Sequence, residues 1–299
     1  MDFPASFDKT KAIELGNMVI QAYNQLGYYK KEKEWKLFGD YNLVSKIIYN
    51  RWQMGFDVND DVSTTIIDDE MEEVKEEVEA QQDVSFGIVD GIVDDVKDFL
   101  KFKEYPMGFV ATSKDGKSAY LIFRGTVSKQ EFVKDAKILL EPYPHGSDKN
   151  FGNVAVGFLE VYNACRDSFL KELNGLDKNM ELYISGHSLG AALSVLSLPD
   201  VIKRTHFKNP TLYNFGCPRV GDTAFVGPYN ALTAKKTLRI VNAFDLVPTL
   251  PPPAPIPFLH VDVPYEFDLE LGSVANNHAM KSYVTALGGQ PFEDKNLPS

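Results

Sequence analysis

The run Glu181 to Leu198, ELYISGHSLGAALSVLSL, constrains this chain more than any other stretch. A strand-like ELYIS leads into Gly-His-Ser-Leu-Gly and then into small apolar residues with helical spacing. So sharp a strand-to-helix turn holds the residue at its tip, Ser188, in a strained conformation with its hydroxyl exposed at the end of the turn. Gly186 and Gly190 flank that tip, where only small residues let the strand and helix backbones approach. The following helix aims its N-terminus and unpaired N–H groups at the same point, where negative charge develops in acyl transfer. The N–H of Leu189 is one such oxyanion donor.

A chain of 299 residues with 44% hydrophobic and 24% charged content suits a globular protein with a large core. We read 1–299 as a single α/β domain with an acidic helical insertion at about 55–104. No segment reads as transmembrane. MDFPASFDKT lacks the basic and apolar regions of a secretory signal, so the expectation is a cytoplasmic chain or one already trimmed. Cys165 and Cys217 offer no disulfide framework or metal-ligand spacing, and buried thiols are the expectation. The net charge of −11, with no compensating Lys/Arg cluster, argues against a nucleic-acid partner. Between Asp57 and Glu79, eleven Asp/Glu face the single Lys75, so this segment carries −10 of the −11. A solvated face is the simple reading of such a run, and an accessory flap near the site is the functional one.

Along the chain, Ala12, Ile13, Gly16, Val19, Ile20 and Tyr23 form a helical stripe over Asp8 to Tyr23, with Ser6 or Asp8 as cap. Tyr41 to Phe56 has no clean period. Ile88 to Leu100 and Phe158 to Leu173 are amphipathic helical patterns. Met107 to Thr112 and Ser118 to Phe123 flank a turn containing Asp-Gly, a hairpin signal. Strands follow at Thr211 to Phe215 and Thr237 to Val241, and Pro248 to Pro257 reads as a rigid loop. This alternation predicts a mostly parallel, doubly wound sheet with the site along the strand ends.

A serine hydroxyl needs a base, and the base an orienting carboxylate. Asp245 directly follows the strand TLRIVNAF and is the best acid. Asp222, Asp262 and Asp268 lack that placement. Two histidines lie after it: His278, opening the pattern HAMKSYVTAL after a turn over Gly272 to Asn277, is favoured as base over His260 in LHVDVPYEF. His187 is expected to pack, and Arg124 to form a structural ion pair. The strand end Phe123-Arg124-Gly125-Thr126 can supply the second oxyanion donor, from the N–H and hydroxyl of Thr126.

Taken in order, YLIFRGT, FGNVAVGFLEVY, ISGHSLGAAL, YNFGCPRVGD, RIVNAFDLVPTLPP and NNHAMKSY resemble the fungal-type, class 3 lipase family over Pro106 to Leu287. The resemblance implies an α/β-hydrolase fold, a Ser188, Asp245 and His278 triad, Thr126 and Leu189 at the oxyanion positions, and a lid after Thr126. Gly190-Ala191 stands where fungal members commonly carry Gly-Gly, their disulfides have no counterpart here, and the acidic insertion of this chain has no counterpart among them.

The expected activity is a serine ester hydrolase without metal or cofactor. Its substrates would be acylglycerols or related lipid esters, met at a lipid–water interface. Ile138, Leu139, Leu140 and the Pro251 to Phe258 loop are candidates for an apolar mouth. The same triad would serve a small-ester esterase or an acyltransferase, and a non-catalytic scaffold with this fold is the remaining alternative.

Overall fold

The computed structural model describes residues 7–50, 104–125, 139–146, 151–233 and 236–298. The acidic segment, the amphipathic stretch Ile88 to Leu100, Ile138 and Thr126 lie outside the described residues.

Helix α1, Lys9–Lys30, begins where the Asp8 carboxylate accepts the N–H of Lys11 at 2.9 Å. It runs past the expected end at Tyr23 because Leu26 and Tyr28 still bury their side chains. Strand β1, Tyr41–Asn50, pairs antiparallel with β2, Glu104–Ser113. Register shifts between Leu43 and Ser45 and between Ile47 and Ile48 break its alternation, which is why the sequence there shows no clean period. β2 and β3, Ser118–Phe123, form the expected hairpin.

A small two-stranded sheet follows, β4 Leu140–Pro142 with β5 Asn153–Ala155. It leads into α2, Val156–Gly175. The elbow region folds as strand β6, Glu181–His187, and helix α3, Leu189–Arg204. Then come β7, Thr211–Phe215, α4, Thr223–Thr233, β8, Thr237–Asn242, and β9, Pro264–Phe267. Two short helices close the described chain, α5, Val274–His278, and α6, Met280–Ala286.

The seven-stranded sheet has the order β1-β2-β3-β6-β7-β8-β9, and from β3 onward every pairing is parallel. This is the predicted α/β class. One face packs on α2 and α3 through residues such as Leu121, Ile184 and Leu212. The other packs on α1 and α6 through Ile122, Phe215, Ile240 and Val284. Each such side chain, fully buried, contributes about 1.5–3 kcal/mol.

The two helices of the first face are clipped together by a buried carboxylate. Asp200 of α3 accepts from Tyr162 Oη at 2.7 Å and Arg166 Nε at 2.5 Å, both on α2, and from Arg204 Nε at 3.0 Å. A carboxylate taken out of water needs such compensation. Cys165 and Cys217 are buried free thiols, and burial pushes each up to about 12. No described helix is long and apolar enough to cross a membrane.

Parallel strands end on one edge, so β3, β6, β7 and β8 deliver Arg124, Ser188, Gly216 and the loop to Asp245 to the same rim of the sheet.

Candidate active site

Ser188 has φ 57 and ψ −125, an unusual conformation for a residue with a side chain. Its neighbours hold it there. Its N–H donates to the carbonyl of Phe215 at 3.1 Å, while its own carbonyl accepts from Ala191 and Ala192 in the first turn of α3. A Cβ on Gly190 would lie 2.5 Å from the carbonyl oxygen of Arg124, and one on Gly186 would strike the carbonyl of Gly190. The glycines are therefore required by close backbone approach, as expected. Ala191, one position further on, is fully buried. Leu189 is the first residue of α3, where a helix leaves its N–H groups without intrahelical acceptors.

Asp245 sits just beyond β8, in a turn closed by its N–H on the carbonyl of Asn242 at 2.9 Å. Its carboxylate is buried and fully engaged. Oδ1 accepts the N–H of Val247 at 2.9 Å, and Oδ2 accepts from His278 Nδ1 at 2.6 Å and from Tyr283 Oη at 2.5 Å. A carboxylate facing Nδ1 keeps the proton on that nitrogen and leaves Nε2 as the acceptor. His278 Nε2 is buried and has no hydrogen-bond partner among the described residues. Burial, reinforced by the Asp245 charge, holds the Tyr283 phenol well above its usual range, so it remains a donor.

An asparagine latch aligns the two loops. Asn277 donates through Nδ2 to the carbonyl of Phe244 at 3.1 Å and accepts the N–H of Leu271 at 2.7 Å. Asn242 Nδ2 reaches the carbonyl of Asn277 at 3.0 Å. Between them they tie the Asp245 loop to the His278 loop. The stretch Gly272 to Asn277, expected as a turn, carries most of α5, capped by Ser273 Oγ on the N–H of Asn276. His278 therefore ends one helix rather than opening the next.

The other candidates have different partners. His260 Nε2 donates to the carbonyl of Pro248 at 2.7 Å, away from any carboxylate. Asp222 binds Asn153 through both oxygens and the N–H of Phe225, pinning a loop. Asp262 approaches Thr233 Oγ1 at 3.5 Å, and Asp268 is exposed. Arg124, expected in an ion pair, is buried with Nε on the carbonyl of Pro106 and Nη1 on that of Gly125. His187, expected only to pack, bonds Tyr23 Oη through Nδ1 and the carbonyl of His278 through Nε2, each at 2.7 Å. His187 departs from the expectation because α1 brings the Tyr23 phenol to one ring nitrogen and the end of α5 brings a free helix carbonyl to the other.

Of the apolar mouth candidates, Leu139 is 60% exposed and Leu140 is half-buried, while Phe258 belongs to the core. Phe244 and Leu246, on either side of Asp245, are exposed and were not anticipated. Nor were Tyr283, Gly216 and Tyr23. A phenol within the apolar face of HAMKSYVTAL was the available signal for Tyr283, since a buried phenol usually needs a partner.

Residues 120–254 match the family described as Lipase (class 3). That span includes Ser188 and Asp245, and His278 lies beyond it. A lipase of Rhizomucor miehei is 34% identical over 162 residues, covering 52% of this chain and 43% of that protein. Phospholipase A1-IIalpha of Arabidopsis thaliana is 31% identical over 192 residues, covering 52% of this chain and 45% of that one. A solved structure, the native Rhizomucor miehei lipase propeptide complex, is 28% identical with a TM-score of 0.48, covering 60% of this chain and 62% of that chain. The chain spans about half the length of the curated relatives it matches. The matched span holds the elbow, the strand after it and the Asp245 loop in unbroken order, and over that span this chain is similar to the class 3 lipase family.

Proposed function

We propose that the chain is a serine ester hydrolase acting on acylglycerols or related lipid esters, with Ser188 as nucleophile, His278 as base and Asp245 as its orienting carboxylate. The observation that carries this reading is the Asp245–His278 hydrogen bond, which leaves a buried Nε2 without a partner among the described residues. In the reaction, His278 Nε2 takes the Ser188 hydroxyl proton as Oγ bonds to the ester carbonyl carbon. The resulting oxyanion is held by the N–H of Leu189 and by Thr126, which we assign from sequence alone. As the bond to the alcohol oxygen breaks, the same nitrogen returns the proton to the leaving alkoxide. Water then repeats the sequence on the acyl-enzyme, releasing the acid and restoring the serine.

The exposed Phe244, Leu246 and Leu139 support apolar acyl chains as ligands. Likeness to a protein named phospholipase A1 favours diacyl phospholipids as a second substrate class. A fluorophosphonate probe should label Ser188 in folded protein. Nitrophenyl esters of rising chain length, a triglyceride emulsion and phospholipid vesicles then rank the substrates. Absence of labelling, with no hydrolysis of any of these, would overturn the reading.

A further inference from the structure

Three hydrogen bonds link the site to α1 and have no part in the mechanism above. The N–H of Gly125 donates to Tyr23 Oη at 3.0 Å. Tyr23 Oη lies 2.7 Å from His187 Nδ1, and His187 Nε2 lies 2.7 Å from the carbonyl oxygen of His278. Their directions are interdependent. A carbonyl only accepts, so Nε2 carries the His187 proton. Nδ1 of a neutral ring then accepts, the phenol donates to it, and the phenol oxygen is left to take the N–H of Gly125. Burial holds the Tyr23 phenol above its usual range, opposed in part by the Arg124 charge, so the donor stays in place.

Both ends of this relay touch parts whose position matters. His278 is the last residue of α5, and its carbonyl is one that the helix itself leaves unsatisfied. The His187 ring also lies against the His278 ring, with centroids 4.4 Å apart and planes inclined by 33°. At the other end the Gly125 peptide is clamped twice, its N–H by Tyr23 and its carbonyl by Arg124 Nη1 at 2.6 Å. That peptide leads directly into Thr126. Alternation along β6 puts Tyr183, Ser185 and His187 on the face covered by α1, which is how a residue of the first helix reaches the site.

We propose that Tyr23 and His187 are positioning residues, a relay locked in one tautomer that holds the backbone of His278 in register with the strand-end loop at Gly125. The inference rests on the assignment of Ser188 and His278 made above. Neither residue takes or gives a proton in the reaction above. Their effect is on geometry, where a misplacement of about 1 Å costs on the order of 100-fold in rate.

Selective 15N labelling of histidine reads the tautomer of His187, assigned by loss of its signals in His187→Gln. The wild-type protein should hold the proton on Nε2, and a proton on Nδ1 would overturn the relay. In Tyr23→Phe the His278 carbonyl still keeps the proton on Nε2, while Nδ1 loses its donor, so the Nδ1 signal should shift toward that of an unbonded acceptor nitrogen. That variant should lower kcat on a soluble short nitrophenyl ester by about 10–100-fold with KM within about twofold. An unchanged kcat overturns the proposal. If Tyr23→Phe does not fold, His187→Gln against His187→Ala decides. The amide of Gln can donate to the His278 carbonyl and accept from Tyr23, so it should retain at least about tenfold more kcat than Ala. Equal loss in both overturns the relay. Ser188→Ala is measured alongside. An active Ser188→Ala removes the catalytic assignment itself, whereas an inactive one beside an unimpaired Tyr23→Phe removes only the relay.

Discussion

The phenol of Tyr283 donates to Asp245 Oδ2 at 2.5 Å. His278 Nδ1 uses the same oxygen, so removing the phenol leaves the carboxylate with one donor fewer and the imidazole with a less firmly held partner. Tyr283→Phe keeps the ring, which packs edge-on against Phe267 and Phe215. A hydrogen bond to a charged group contributes about 1.5–3 kcal/mol net. We expect kcat on a short ester to fall about 3–30-fold and the folded state to lose about 1–2 kcal/mol. Steady-state kinetics and urea unfolding check both, and an unchanged kcat would show that Oδ2 needs only His278.

Ser188→Ala and His278→Ala should each lower turnover by about 1,000-fold or more, and the double variant should be little worse than either, because the groups act as a unit. His260→Ala, whose imidazole is bonded to Pro248 rather than to a carboxylate, should keep most of the activity. If His260→Ala proves the more damaging histidine change in folded protein, the base has been assigned to the wrong residue.

Gly216 has φ +56, and a Cβ there would lie 2.9 Å from Asp245 Oδ2 and 3.0 Å from His278 Cε1. The Asp245–His278 pair therefore lies directly against this glycine. Gly216→Ala should destabilise the fold by about 1–3 kcal/mol and lower kcat at least about tenfold, since both the backbone and the pair must shift. Wild-type turnover in Gly216→Ala would show that the pair tolerates displacement.

His260 gives the fold an acid sensitivity unconnected with catalysis. Burial first, and the nearby Arg239 charge second, push it from its ordinary 6.5 down to about 3. Between those values the unfolded chain binds the proton and the folded chain does not. The contribution of this residue is therefore complete above about pH 6.5 and is lost as pH falls, by up to about 1.4 kcal/mol per pH unit. His260→Gln, which keeps a donor for the Pro248 carbonyl, should flatten the pH dependence of unfolding between about pH 6 and pH 4. Parallel curves for variant and wild type would contradict this.

What was legible in the chain was what short-range chemistry encodes. The elbow declared itself because two glycines and a serine must stand together where a strand meets a helix. β7 lies where its apolar run places it, and β8 ends one residue beyond. The hairpin follows its turn residues. β1 was illegible because two register shifts erase its alternation, and α5 because its turn-forming residues also suit a short capped helix.

The sequence by itself determined the fold class and a short list of chemically capable side chains, with His278 favoured over His260. Tertiary structure alone decided which histidine meets Asp245, across 33 positions of chain, and brought Tyr283 to the same carboxylate across 38. It also joined Tyr23 to His187 across 164 positions. Periodicity and turn chemistry report only what neighbours along the chain do to one another. A hydrogen bond between distant residues leaves no mark on either until the parallel strands end together on one edge of the sheet and bring the two within reach.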